Sequence, residues 1–184
     1  MTGPAISLRD WMLSWRALKQ PRYWPFFCEE NVWHLCSDRD SVEGPVEGRR
    51  VVFVSNAPGR VAMRCQRAGA GGLIRWDYHV VLLSGGRLWD LDTTLGFGIS
   101  PALWLAESFV AGPLAPRFRV VEAPDYVALL ASDRSHMIGA DGRPLRSFPP
   151  WPPIGKGMNL MRFVDMVEPF LGAVTDAEGL RCYF

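Results

Sequence analysis

Residues 76–95 read Trp76-Asp77-Tyr78-His79-Val80-Val81-Leu82-Leu83-Ser84-Gly85-Gly86-Arg87-Leu88-Trp89-Asp90-Leu91-Asp92-Thr93-Thr94-Leu95. Two β-prone apolar runs flank Gly85-Gly86, a pair suited to the left-handed backbone of a two-residue hairpin turn. With that turn, facing residues sum to 171. His79 then opposes Asp92, Val81 opposes Asp90, and all four share one face. Either aspartate can reach the imidazole, one directly and one diagonally. A three-residue loop reverses the faces, whereas a four-residue loop keeps them.

Outward from the hairpin, the punctuation is that of an α+β chain. Helical spacing of Val32, Leu35 and Cys36 from Cys28 predicts a short helix over 28–38, with Glu29 and Glu30 in the first turn, where carboxylates complement the dipole. Residues 5–19 carry Ile6, Trp11, Leu13, Trp15 and Leu18 in an amphipathic helical pattern, and Pro21 and Pro25 bracket a turn before Cys28. "VVFVS" (51–55) and "RFRVVEA" (117–123) read as strands, "LIRWDYHVVLL" (73–83) as one β-rich run, and "RAGAGG" (67–72) as a connector. Helices are predicted from Pro124-Asp125 onward and within "MNLMRFVDM" (158–166). "SFPPWPPIG" is an extended loop, either rimming a cleft or acting as a stiff connector around a packed Trp151. Helix first, hairpins later and short helices between exclude an alternating doubly wound sheet.

A length of 184 residues suits one domain with a sizeable core, and 48% hydrophobic with 21% charged residues is a globular composition. A net charge of +1 gives no electrostatic reason to expect nucleic acid or an anionic membrane as partner. No apolar run approaches the roughly 18 residues that span a bilayer. Arg9, Asp10 and Arg16 interrupt the N-terminal segment, so a signal peptide is not expected and the cytosol is the expected compartment. Cysteines at 28, 36, 65 and 182 are too few to build a disulfide fold. Within a helix, Cys28 and Cys36 stand roughly 12 Å apart, beyond the reach of a bridge. Cys28, His34 and Cys36 match no common zinc spacing, and no metal is expected.

Chemistry can be read from Cys28, His79 and the two aspartates. A thiol at a helix start has its proton loosened by the dipole and by a neighbouring imidazolium. A histidine can take that proton, and a carboxylate can fix the histidine's tautomer. The charges of Glu29 and Glu30 oppose thiolate formation, so the histidine must outweigh them. The plainer reading is a buried hydrophobic cysteine, a structural histidine and turn-bonding aspartates.

The blocks "FCEENVWHLC", "WDYHVVLL", "WDLDTTL", "FRVVEAPDY", "ASDRSHM", "PPWPPI" and "MNLMRFVDM" run in order over about residues 23–166 and together resemble the protein N-terminal glutamine amidohydrolase family. The resemblance implies a papain-like α+β fold, with a helix bearing the cysteine packed on an antiparallel sheet bearing histidine and aspartate, in one catalytic domain over 1–184. It implies Cys28 as nucleophile, His79 as acid and base, and Asp90 rather than Asp92 as the orienting carboxylate. The implied reaction turns an N-terminal glutamine side chain into glutamate and releases ammonia through a thioester, with no cofactor. Free N-terminal glutamine on proteins or peptides is the implied partner, and a monomer is expected. Reading the α-ammonium calls for acids near the thiol; Glu29, Glu30, Asp77 and Asp92 are the candidates. The alternatives are another papain-like thiol enzyme, either a peptidase or a transglutaminase-like acyl transferase, and a binding module for N-terminal residues.

Overall fold

The computed structural model describes residues 18–184 apart from Ala111 and Pro113. The helix expected over 5–19 lies almost wholly outside the described residues. The architecture is mixed α/β, with an antiparallel five-stranded sheet in the order β5-β4-β1-β6-β7. In chain order the elements are helix α1 (Cys28–Ser37), strands β1 (Arg50–Ser55), β2 (Val61–Met63), β3 (Ile74–Trp76), β4 (His79–Ser84) and β5 (Arg87–Trp89), and helix α2 (Pro101–Ser108). They continue with β6 (Arg117–Glu122), α3 (Ala123–Leu129), α4 (Leu160–Val164), β7 (Ala173–Thr175) and α5 (Ala177–Leu180). No helix among the described residues is long and apolar enough to cross a membrane.

Strand β1 is apolar from Val51 to Val54 because both of its faces are covered. Val51 and Phe53 pack with α1, α3 and α4, while Val52 and Val54 pack with Trp104, Phe118 and Leu180 on the other side. Helix α1 buries Val32, Leu35 and Cys36 against the first face. Truncating Leu35 to Ala removes packing worth about 2–5 kcal/mol. The end of α1 is closed by buried Arg49, whose guanidinium donates to the carbonyls of Leu35, Cys36 and Asp38. A second buried arginine, Arg119, gathers the carbonyls of Phe163, Asp165, Glu168 and Leu171 and so fixes the segment after α4.

The hairpin register is the one its turn dictates. Gly85 and Gly86 have φ of 62° and 70°, and the pairs Leu82–Trp89, Leu83–Leu88 and Ser84–Arg87 all sum to 171. Two expectations need correcting. The ladder ends at Trp89, so His79 and Asp92 are not a cross-strand pair. The run 73–83 is two strands, because the chain breaks at Asp77-Tyr78; β3 pairs with β2 in a separate ribbon.

Candidate active site

The approach to α1 is held by side-chain hydrogen bonds. Phe26 has φ of 68°, and Phe27 precedes the helix without a side-chain cap. Asn31 compensates by reaching back: its Oδ1 accepts from Trp24 N–H at 2.8 Å and its Nδ2 donates to Trp24 C=O at 2.9 Å. Tyr126 Oη donates to the Glu29 carbonyl from α3. These contacts fix Cys28 as the first helical residue, 9% exposed, at the floor of a cavity of about 490 Å³. Such a volume falls within the usual range for small-molecule sites. Its lining also includes Phe26, Trp76, Tyr78, His79 and His136.

His79 opens β4, and the chain leaves β5 at Asp90, which places both at the same end of the hairpin as Cys28. Asp90 Oδ1 lies 2.9 Å from His79 Nε2 and also accepts the Asp92 N–H at 2.9 Å. That second bond is a local turn that bends the chain out of the ladder and carries the Asp90 carboxylate to the ring. Oδ2 accepts from Gln66 Nε2 at 3.1 Å and Trp104 Nε1 at 3.0 Å. Burial works to raise the Asp90 pKa, but the His79 charge and the hydrogen bonds from His79, Trp104 and Gln66 prevail and hold it below the usual value. Burial pulls His79 down, and the charge and hydrogen bond of Asp90, with the charge of Asp92, more than reverse it, leaving its pKa above 6.5. With Nε2 engaged by Asp90, Nδ1 is the nitrogen left for the cavity side. The Trp76 ring stacks on the imidazole, with centroids 6.1 Å apart and planes 17° apart.

The thiol of Cys28 resists ionisation. Burial comes first, then the charges of Glu29 and Asp92, and together they push its pKa well above 9.0; a hydrogen bond from the Val80 N–H, one residue past His79, acts the other way. Cys28 Sγ stands 3.8 Å from Glu29 Oε2.

The four candidate acids fall in different places. Asp77 is exposed and lines the cavity. Asp92 also lines it, is 7% exposed, and accepts the Tyr23 hydroxyl on Oδ1 at 2.7 Å. Burial raises the Asp92 pKa beyond what His79 and Tyr23 recover. Glu29 is fully buried beside the thiol, with Tyr78 Oη 3.0 Å from its Oε2 and His136 Nε2 3.6 Å from its Oε1. Glu30 is fully buried and absent from the cavity lining. Arg134 Nε and Nη2 donate to its two oxygens at 2.7 Å each, and Trp151 Nε1 adds a third bond at 2.6 Å.

His79, Asp90 and Asp92 each offer an atom within 4.8 Å of the others, a candidate metal cluster. Both Asp90 oxygens, however, already accept two hydrogen bonds each, which uses all of a carboxylate's lone-pair positions. The donor set therefore fits an orienting carboxylate better than a metal ligand.

Sequence reasoning did not anticipate Gln66 and Trp104 on Asp90. Nor did it place Arg134 and Trp151 on Glu30, or Tyr78 and His136 beside Glu29. Gln66 lies just before the stretch read as a connector, and Trp104 in a helix that was not expected. Trp76 lines the cavity. "SFPPWPPIG" acts as the connector of the two readings: Trp151 is turned onto Glu30 and its carbonyl accepts from Arg134.

A thiol at a helix start and an imidazole on one cavity, with a buried carboxylate behind the imidazole, make up the equipment of nucleophilic thiol chemistry on a carbonyl or amide carbon. The sequence profile described as N-terminal glutamine amidase matches residues 23–184, so the match runs past the recognisable blocks to the last residue. Three relatives are each named protein N-terminal glutamine amidohydrolase. The one from Homo sapiens is 37% identical over 161 residues, covering 79% of this chain and 78% of its own. That from Danio rerio is 35% identical (82% and 81%), and that from Caenorhabditis elegans 32% (79% and 85%). The chain belongs to the N-terminal glutamine amidase family.

Proposed function

We propose that this protein deamidates the side chain of an N-terminal glutamine in proteins or peptides to glutamate, releasing ammonia. Family membership over residues 23–184 is the observation that carries the reading. Cys28, His79 and Asp90 are the residues assigned to the chemistry, and the 2.9 Å contact of His79 with Asp90 supports that assignment. The fold is read as papain-like and as one catalytic domain, with α1 bearing the thiol against the sheet that bears the imidazole.

In the first half-reaction the Cys28 proton passes to His79 Nδ1 as sulfur bonds to the side-chain amide carbon. The carbon–nitrogen bond then breaks and His79 returns the proton to the nitrogen, which leaves as ammonia. The Cys28 N–H, one of the unpaired amides expected of a helix start, is the donor assigned to the developing oxyanion. In the second half-reaction water gives a proton to His79 and attacks the thioester; the proton returns to sulfur as glutamate leaves. Asp90 holds the imidazole in one tautomer and stabilises its charged form throughout. No step calls for a cofactor.

The α-ammonium is read by the acids grouped around the cavity, Asp77 and Asp92 in its wall and Glu29 behind it. Glu30 is left out, because Arg134 and Trp151 occupy both its oxygens. The test compares ammonia release from a Gln-initiated peptide, its N-acetylated form and an Asn-initiated peptide. Acetylation removes the charge, and leaving a buried acid without its partner costs about 3–5 kcal/mol, or two or more powers of ten in rate. Turnover of the free peptide alone supports the reading. Equal turnover of free and acetylated peptides would replace it with a general thiol amidase, and cleavage of the peptide backbone with a peptidase.

A further inference from the structure

Glu29 is a fully buried carboxylate that takes no part in the bond-making steps above. Its Oε1 is buried without a hydrogen-bond partner, with His136 Nε2 3.6 Å away. Its Oε2 has the Tyr78 hydroxyl at 3.0 Å and the Cys28 sulfur at 3.8 Å. Tyr78 Oη is also 3.3 Å from His136 Nε2, so carboxylate, phenol and imidazole form one cluster against the thiol. The nearby guanidinium of Arg134 is engaged by Glu30. The other titratable groups around this corner are His79, Asp92 and the exposed Asp77 on the cavity wall, with Asp90 behind His79; Tyr126 contributes its hydroxyl to the Glu29 carbonyl. Among the described residues the corner is therefore rich in acids, with the imidazoles of His79 and His136 beside them.

We propose that Glu29, with Tyr78 and His136, is a positioning unit that keeps the resting Cys28 thiol protonated until the substrate's α-ammonium enters and offsets the carboxylate. This deepens the amidase reading and rests on it. A negative charge about 4 Å from sulfur, shielded from water, strongly opposes a second negative charge on the sulfur. A cation brought to the same corner cancels that opposition. The extended glutamine side chain keeps its α-nitrogen within a few ångströms of the carbon under attack, so a substrate placed for reaction carries its charge to the acids around the thiol. Recognition of the free amine and activation of the nucleophile are then a single electrostatic event, and a peptide lacking the amine meets an unreactive thiol.

The direct test is the pH profile of Cys28 alkylation by iodoacetamide, with Cys28 modification followed by peptide mass spectrometry. Glu29→Gln keeps the shape and removes the charge. It is expected to move the alkylation profile to lower pH and to raise the rate at neutral pH by about tenfold or more. Glu29→Met should do the same, and it provides the measurement if the Gln variant misfolds. Glu29→Asp keeps the charge and should keep the profile closer to wild type. A wild-type profile for the neutral variants overturns the proposal. The second arm is ammonia release from free and N-acetylated Gln peptides, where Glu29→Gln should narrow the preference for the free amine. An unchanged preference alongside faster alkylation overturns the coupling to substrate. Absence of ammonia from the wild-type enzyme on the free peptide would instead defeat the amidase reading, leaving the alkylation result to be judged by itself.

Discussion

Replacing Glu30 by Gln separates a structural acid from a substrate-reading one. Glu30 is fully buried and Arg134 is 4% exposed, and their bidentate contact at 2.7 Å is joined by Trp151 Nε1 at 2.6 Å. Gln keeps the volume, but it leaves a buried guanidinium without its counter-charge and turns one accepting oxygen into a donor facing donors. Breaking one side of such a pair costs about 3–5 kcal/mol. Arg134 keeps the carbonyls of Trp151 at 2.8 Å and Pro149 at 3.5 Å, so the lower end, about 3 kcal/mol, is expected. At 2–4 °C per kcal/mol for a chain of this size, the midpoint of thermal unfolding should fall by roughly 6–12 °C. Stability of about 5–15 kcal/mol accommodates this loss, so the variant should still fold. Urea unfolding followed by circular dichroism reads the change, with the midpoint lowered and the slope preserved. The double variant Glu30→Leu with Arg134→Met should lose much less than the sum of its singles. A Glu30→Gln protein of wild-type stability whose KM for a Gln-initiated peptide rises sharply would refute this reasoning and return Glu30 to the substrate site.

The remaining predictions concern the imidazole. Asp90→Asn should lower kcat by about 10⁴ through the wrong tautomer, while Asp92→Asn should act mainly on KM; the reverse order in steady-state kinetics would undo the assignment of the orienting carboxylate. A pH profile of kcat/KM should rise through a pKa above 6.5, where His79 loses its proton and becomes able to accept the one on Cys28. It should fall again near pH 8, where the substrate's α-ammonium, with an ordinary pKa of about 7.7–8.0, loses the charge the site reads; the Cys28 thiol, pushed well above 9.0 by burial, ionises later. Since the Asp90 charge is what lifts His79, the residual activity of Asp90→Asn should show its acid limb displaced to lower pH. A limb that does not move would mean that another group sets it.

Local chemistry was legible where it decided the outcome. Gly85-Gly86 sets the hairpin register whatever surrounds it, and the spacing of Val32, Leu35 and Cys36 gives α1 its buried face. The choice between Asp90 and Asp92 was not legible from register, because it depends on where the ladder stops. That point is set by the Asp90 turn and by Gln66 and Trp104 arriving from elsewhere in the chain. Helix α2 carried a signal that went unread: Ser100-Pro101 is a favourable cap and first residue for a helix. Glu30 has no local signature at all, since its partner Arg134 lies 104 residues away on a left-handed backbone position. Buried Arg49 and Arg119 escaped for the same reason, being held by carbonyls that only the folded chain brings together.

The central claim, that this chain is an N-terminal glutamine amidase working through Cys28, is tested most directly by ammonia release from a Gln-initiated peptide. Wild-type and Cys28→Ala proteins should be compared at equal concentration, with matching circular dichroism spectra to show that both are folded. The account predicts sustained ammonia release with stoichiometric conversion of glutamine to glutamate by the wild type, and none above the uncatalysed rate by Cys28→Ala. Substantial turnover by Cys28→Ala, or none by the folded wild type, would contradict it.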